Sequence, residues 1–317
     1  SPKVKMKSID EGVIDFTGTT EHINQRPLED IGYEIKQRVK AEMGSWMKVN
    51  VGIGTNQFLA KQAAGWHKPD GLDVLDHSNL LDYYKSIELT DLSGIATHFQ
   101  ARLNAAGIFT PMEFLAASSD TLRRLVFHSI IGNDWYGRLR GIEVDDVQTK
   151  LGVVGRQWVL GKSTSDDSYI LPCFQYLCET VGKKLRFNGV DARGVLVWAQ
   201  LKGGDSWYER KMFKTTFFTD QEIYRRALYL MNRRPKGVDV VTMGITCYKL
   251  TPSNRSQMSL FDRVNKEAEL TYAIDGLNER YGNFVIGAAH SMLGKQLVKQ
   301  KIPFGGTKYF ELLLKRA

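Results

Sequence analysis

Ser8-Ile9-Asp10-Glu11 sets two adjacent carboxylates between two short apolar runs, Val4 to Met6 and Val13 to Phe16. The runs read as strands, so the segment is predicted to be a β-hairpin with Asp10 and Glu11 at its tip. Along a regular strand neighbouring side chains point to opposite faces. A turn relaxes that constraint and lets both carboxylates approach one site. Paired hard oxygen donors suit divalent cations, and a pair of such cations can clamp both oxygens of a phosphoryl displacement. Two acids in a turn are also what an ordinary solvated loop contains, since Asp is common in turns.

The elements that would position this tip follow in sequence. Ile31, Ile35 and Val39 recur at helical spacing and predict a helix over Leu28 to Met43. Val49 to Gly54 reads as a strand and Phe58 to Trp66 as a helix, with Asn56 as its cap. Lys68-Pro69-Asp70-Gly71 reads as a turn. Residues 86 to 148 are expected to be purely helical. Within them Leu92-Ser93-Gly94-Ile95-Ala96 comes close to a helix-hairpin-helix, which turns helix N-terminal amides toward a DNA phosphate. The motif's usual Gly-hydrophobic-Gly stands here as Gly94-Ile95-Ala96, and a plain helical hairpin is the alternative.

A length of 317 residues accommodates two or three domains, and 43% hydrophobic and 25% charged residues match an ordinary soluble chain. No apolar run approaches a membrane span and no signal peptide is visible. Three cysteines, Cys173, Cys178 and Cys247, have no paired zinc spacing; they read as reduced thiols in a cytoplasmic protein. The net charge of +8 is unevenly placed. Leu151 to Leu260 holds seventeen Lys and Arg against nine Asp and Glu, while the rest of the chain holds 26 of each. A basic module beside a neutral one points to a polyanion such as nucleic acid. In that module a strand at Arg156 to Leu160 and a helix at Tyr169 to Phe187 are followed by strands at Val195 to Leu201 and Tyr208 to Phe213. A helix at Gln221 to Asn232 and a strand at Val240 to Leu250 complete the order β-α-β-β-α-β, a sheet with helices on one face. A last helix is expected at Glu267 to Glu279, then a strand pair at Phe284 to Ile286 and near Pro303 to Gly306.

Taken together, Ser-Ile-Asp-Glu at 8–11, Val-Gly-Ile-Gly-Thr-Asn at 51–56, Leu59-Ala60-Lys61 and Lys68-Pro69-Asp70-Gly71 resemble the Y-family (translesion) DNA polymerases in order and spacing. Gly12 stands where the family often has alanine, and Gln57 where it often has lysine. The resemblance implies an α+β multidomain chain. It would comprise a partial, mixed α/β palm (1–85), a helical thumb with the helix-hairpin-helix-like motif (86–148) and a tether (149–155). A β-α-β-β-α-β little finger (156–252), a linker (253–265) and a C-terminal tail without an assigned role (266–317) follow. It implies two Mg²⁺ ions held by carboxylates, with Asp10 bridging them and Glu11 helping to hold the one that activates the primer 3′-hydroxyl. Lys68 matches the lysine that approaches the nucleotide triphosphate. Asn56 and Lys61 are motif positions read as supporting structure.

The partners implied are primer-template DNA, deoxynucleoside triphosphates, the sliding clamp and other DNA-damage-response proteins. Gly94, Ala96, Arg156, Lys162, Arg210, Lys211, Lys214 and Arg255 are the candidate DNA contacts. Alternation along Trp207 to Met212 would set some of these charges on the open face of the sheet. Arg225, Arg226, Arg233 and Arg234 read better as solvated helix faces. Gln257-Met258-Ser259-Leu260-Phe261 resembles the clamp-binding peptide Gln-x-x-Leu-Phe: Leu260 and Phe261 would fill an apolar pocket while Gln257 bonds at its rim. The family's upstream carboxylate, steric gate and fingers have no counterpart in this chain, which opens at Ser1-Pro2. The expectation is therefore a fragment that binds DNA and is catalytically incomplete by itself. The rivals are a non-catalytic paralogue that scaffolds DNA and clamp, and an unrelated repair module built on the helical hairpin.

Overall fold

The computed structural model describes residues 3–19, 26–147, 150–253, 262–282 and 284–298. The chain divides into two units, one built from residues up to 148 and one from Thr149–Ile302. In the first, β1 (Lys3–Met6) and β2 (Gly12–Asp15) pair antiparallel with Met6 opposite Gly12, which leaves Asp10 and Glu11 in the connecting turn as expected. Helix α1 (Leu28–Met43) has the predicted bounds. Strand β3 (Val51–Gly54) runs into α2 (Gln57–Trp66), and a strand the sequence reading missed, β4 (Leu72–Leu75), returns parallel to β3. From there to Arg138 the elements are helical: α3 (Leu80–Ser86), a 3₁₀ turn at Leu89–Asp91, α4 (Thr97–Ala105), α5 (Pro111–Ala116), α6 (Ser119–Thr121) continuing into a π turn, and α7 (Ile131–Arg138). Their apolar faces close one core around Leu59, Tyr84, Leu103, Phe114, Leu122 and Trp135.

The second unit is the expected β-α-β-β-α-β arrangement. Strands β5 (Val153–Thr164), β6 (Val190–Leu201), β7 (Ser206–Phe217) and β8 (Val240–Tyr248) form an antiparallel sheet in the order β5-β8-β6-β7, with the short β9 (Thr251–Pro252) on β6. Because β5 already starts at Val153, the expected tether is shorter than read. Helices α8 (Asp167–Phe187) and α9 (Asp220–Met231) cover one face. The alternation of β6 decides which face: Val195, Val197, Ala199 and Leu201 are buried with Phe174, Leu177 and Val181 of α8 and Ile223 and Ala227 of α9. All three cysteines are buried and free, as read. Among the described residues no helix is long and apolar enough to cross a membrane.

The last described segment belongs to this second unit. Helix α10 (Asp262–Tyr281) and α11 (Met292–Leu297) lie beyond the β-α-β-β-α-β core. Asp275 of α10 bonds Arg186 of α8 at 2.5 and 2.9 Å, and Arg186 also reaches Asp220 at 2.6 Å. The Arg186 side chain is only 4% exposed. Helix α11 presses on α8 so closely that a Cβ on Gly294 would lie 2.2 Å from the Pro172 carbonyl oxygen. Phe284 to Ile286 is a turn and not the expected strand. Phe284 has φ 58° and stacks edge-on against Tyr176 at 5.1 Å, while the Asn278 side chain bonds both the N–H and the C=O of Ile286. A single amide thus replaces the strand partner the pattern called for. Pro303 to Gly306 lies outside the described residues.

Two outcomes are expected. Arg186→Ala strands two partly buried carboxylates, Asp220 and Asp275, and lowers the stability of the second unit by about 2–3 kcal/mol in denaturant titration. Burial, opposed by the Ser291 hydroxyl bond and reinforced by Asp220, pushes the Glu179 carboxyl from 4.5 up to about 7. The folded chain therefore holds a proton that the unfolded chain releases, so this contribution is full below pH 4.5 and lost as pH rises through about 7. Glu179→Gln should flatten that part of the stability–pH curve; an unchanged slope between wild type and variant would refute the assignment.

Candidate active site and nucleic-acid interface

The hairpin tip is shaped by its own backbone. Lys7 and Ser8 N–H groups both donate to the Glu11 carbonyl, at 2.9 and 3.1 Å. The Ser8 hydroxyl donates to Asp10 Oδ1 at 2.5 Å. Glu11 points to α2, where the Lys61 ammonium donates to both carboxylate oxygens at 2.9 and 2.7 Å. Both partners are about half exposed, at 51% and 52%. Lys61, read as support, is thus the direct partner of a candidate catalytic acid.

Helix α2 is held in place by glycines and a cap. A Cβ on Gly52 would lie 2.0 Å from the Ala60 carbonyl oxygen, and one on Gly54 would lie 2.4 Å from the Ala60 nitrogen. Val-Gly-Ile-Gly therefore lets β3 lie directly against the α2 backbone. Asn56 accepts from Leu59 N at 2.7 Å as the N-cap and donates to the carbonyls of Arg138 and Ile142 at 3.0 and 2.9 Å. Lys68 sits past the C-terminal end of α2, in a turn with a cis Lys68–Pro69 bond. No contact ties it to Asp10 or Glu11. The turn is gripped by α1, a feature the sequence reading did not find. Lys36 donates to the carbonyls of Asp70 and Gly71 and pairs with the Asp70 carboxylate, and Lys40 reaches the same carboxylate at 2.9 Å. The Lys40 and Lys36 hydrogen bonds hold the Asp70 carboxyl down to about 2.

The impB/mucB/samB family matches residues 1–65, and its C-terminal domain matches residues 154–260. A DNA polymerase IV of Moorella thermoacetica is 30% identical over 304 residues, spanning 93% of this chain and 73% of that protein. The chain belongs to the Y family, the translesion DNA polymerases. A second DNA polymerase IV, from Pelotomaculum thermopropionicum, is 27% identical over 95% of this chain and 75% of its own length. The solved structure of a Y-family DNA polymerase chimera superposes with a TM-score of 0.63 at 22% identity, covering 78% of this chain and 71% of that one, a likeness of fold. Alignments that run along nearly the whole chain lend no support to the expectation of a catalytically incomplete fragment.

Family membership implies metal-dependent catalysis, and the tip has the right donors for it. Asp10 and Glu11 supply hard carboxylate oxygens, and Glu11 already holds a positive charge in the form of the Lys61 ammonium. Among the described residues no group of three His, Cys, Asp or Glu gathers into a metal cage. An ion held by these two acids would complete its shell from substrate phosphates and water, the usual Mg²⁺ arrangement.

The candidate DNA contacts divide by strand register. Arg210 is paired with Leu196 and lies with Lys214 on the open face of the sheet. Lys211 is paired with buried Val195 and turns the other way, its ammonium 4.6 Å from the centre of the Tyr229 ring on α9. Arg156 is paired with Ile245 and likewise sits on the helix side, near Lys184. Lys162 is exposed in the irregular stretch of β5 between Val159 and Thr164. Arg234 is buried against Asp167, and Arg226 pairs with Glu222, so these two are used within the fold. Gly94, with φ 99°, precedes Ala96, the N-cap of α4, which has no side-chain cap. Arg255 and the clamp-like residues Gln257, Leu260 and Phe261 lie outside the described residues.

Asn56→Ala removes the cap and takes one donor from each of the Arg138 and Ile142 carbonyls, the first of which keeps its bond from Gly141 N–H. It should cost about 2–4 kcal/mol of first-unit stability, seen as a lowered melting temperature.

Proposed function

We propose that this chain is a template-directed DNA polymerase that extends a primer across damaged template, with deoxynucleoside triphosphates as substrates and diphosphate as leaving group. Membership of the Y family, with its acidic pair intact, carries the reading. Asp10 and Glu11 would hold Mg²⁺, which when bound supplies Lewis acidity to the primer hydroxyl and the triphosphate. Lys61 orients Glu11 through two hydrogen bonds, so the acid is presented in one rotamer. Lys68 offers a point charge to the triphosphate from a turn that Lys36 and Lys40 immobilise.

The first unit corresponds in this reading to palm and thumb, the β-α-β-β-α-β core to the little finger. The free amides at the start of α4, beside Gly94 and Ala96, and Arg210 and Lys214 on the open sheet would take DNA phosphates without regard to sequence. Arg156, Lys162 and Lys211 would add only peripheral charge, and Arg255 would be a further phosphate contact. Gln257, Leu260 and Phe261 would engage the sliding clamp, and the protein would work at the nucleoid in the cytoplasm.

Primer extension on a primed template with Mg²⁺ and all four nucleotides tests the reading. Wild type should extend the primer, and Asp10→Ala should lose activity by about a hundredfold or more while keeping its affinity for DNA. A wild-type chain that binds primed DNA and extends nothing would favour a DNA- and clamp-binding scaffold.

A further inference from the structure

The fold grips the turn that carries Lys68 at both ends and leaves the Lys68 charge unspent. The chain leaves α2 at His67, whose Nδ1 lies 2.6 Å from Asp73 Oδ1 on β4. It rejoins the sheet at Gly71, whose N–H donates to Asn50 Oδ1 at 3.0 Å and whose carbonyl accepts from Val51 N–H at 3.1 Å. Between these anchors Asp70 has φ 64°, a left-handed conformation that persists only where the surroundings hold it. Among the described residues no hydrogen bond or ion pair engages the exposed Lys68 ammonium. The hold on Asp70 comes from one stripe of α1. Gly32, Lys36 and Lys40 stand at every fourth position and share a face. Gly32 brings the helix down on β4, since a Cβ there would lie 2.7 Å from Leu72 Cδ1. One turn further on, the Lys36 ammonium donates to the Asp70 and Gly71 carbonyls and pairs with the Asp70 carboxylate at 3.0 Å. Lys40 meets the other carboxylate oxygen at 2.9 Å. The Lys36 side chain is only 10% exposed. An apolar side chain often serves stability as well as a buried ion pair does, so a buried ammonium calls for another reason. Its acceptors all belong to the two residues that follow Lys68-Pro69.

We propose that Lys36 is a positioning residue for nucleotide binding: it fixes the backbone of Asp70 and Gly71, and through it the direction from which Lys68 meets the triphosphate. The assignment rests on the reading of Lys68 given above. It deepens that reading by placing a determinant of nucleotide affinity on α1, a helix with no candidate substrate contact of its own. Lys68 carries a compact charge on a flexible stem, so its reach is set by the backbone that launches it. A turn without its grip would spread the ammonium over several directions, and binding would then have to order it. Asp10 and Glu11 are held by other contacts and keep their geometry. The loss should therefore fall on nucleotide binding, read in KM, and spare kcat.

The test is single-nucleotide insertion by the full chain on a primed template with Mg²⁺, with KM for the nucleotide and kcat read separately and the affinity for primed DNA read by anisotropy. Lys36→Met keeps the apolar stem and removes the donors. It should raise KM about tenfold, with kcat within about threefold and DNA affinity within about twofold of wild type. Asp70→Asn keeps a residue type that accepts the left-handed backbone and removes the charge both lysines meet; it should raise KM about threefold. This milder variant carries the test if Lys36→Met does not fold. The decisive comparison adds Lys36→Met to Lys68→Ala. A residue that acts through Lys68 has nothing left to position there, so KM should change by less than about twofold. A merely structural lysine would instead lower kcat through a smaller active fraction and add its full effect to Lys68→Ala. Full additivity overturns the proposal, and so does an unchanged KM in the folded single variants. If Lys68→Ala raises KM while the Lys36 and Asp70 variants leave it at the wild-type value, positioning alone fails and the Lys68 reading stands. If Lys68→Ala leaves KM unchanged, both fail. A wild-type chain that inserts no nucleotide takes the polymerase reading down with them.

Discussion

Backbone contact between β3 and α2 sets the first unit. Strand and helix normally stand a side chain apart, and Gly52 and Gly54 remove that spacing over one turn of helix. Everything chemically interesting is then referred to α2. Its first turn is capped by Asn56, which ties it to the end of α7. Its middle carries Lys61, which meets Glu11 across fifty residues of sequence. Its end delivers the chain into the Lys68 turn. Two missing methyl groups thus fix the relation between an acidic hairpin tip and a helix that holds half of it.

Much of this was legible beforehand because local pattern and tertiary packing agree. The bounds of α1 follow from Ile31, Ile35 and Val39, and the Asn56 cap follows from residue type and place. What stayed hidden depends on partners distant in sequence. Lys36 lies on the buried side of α1 because its charge is matched by Asp70 and two carbonyls in a turn more than thirty residues on. By composition it is an ordinary surface lysine. Leu72–Leu75 is four residues long and half-buried, too short for periodicity to separate strand from loop.

The second unit shows the same division. Its six-element order was readable, and the alternation in β6 could have exposed the open-face row Leu196, Trp198 and Gln200. The alternation in β7 also sets Lys211 on the helix side, since it is an odd residue among Trp207 and Phe213, which pack toward the helices. The role of the last segment was not readable. Asp275 and Ser291 look like solvent-facing residues until Arg186 and Glu179 are seen to need them.

The burial of the three thiols has a chemical corollary. Oxidants attack thiolates, and burial pushes Cys173 up to about 11, Cys247 up to about 12 and Cys178 well above its ordinary value. With no other cysteine in the sequence, the chain offers peroxide no thiolate near neutral pH.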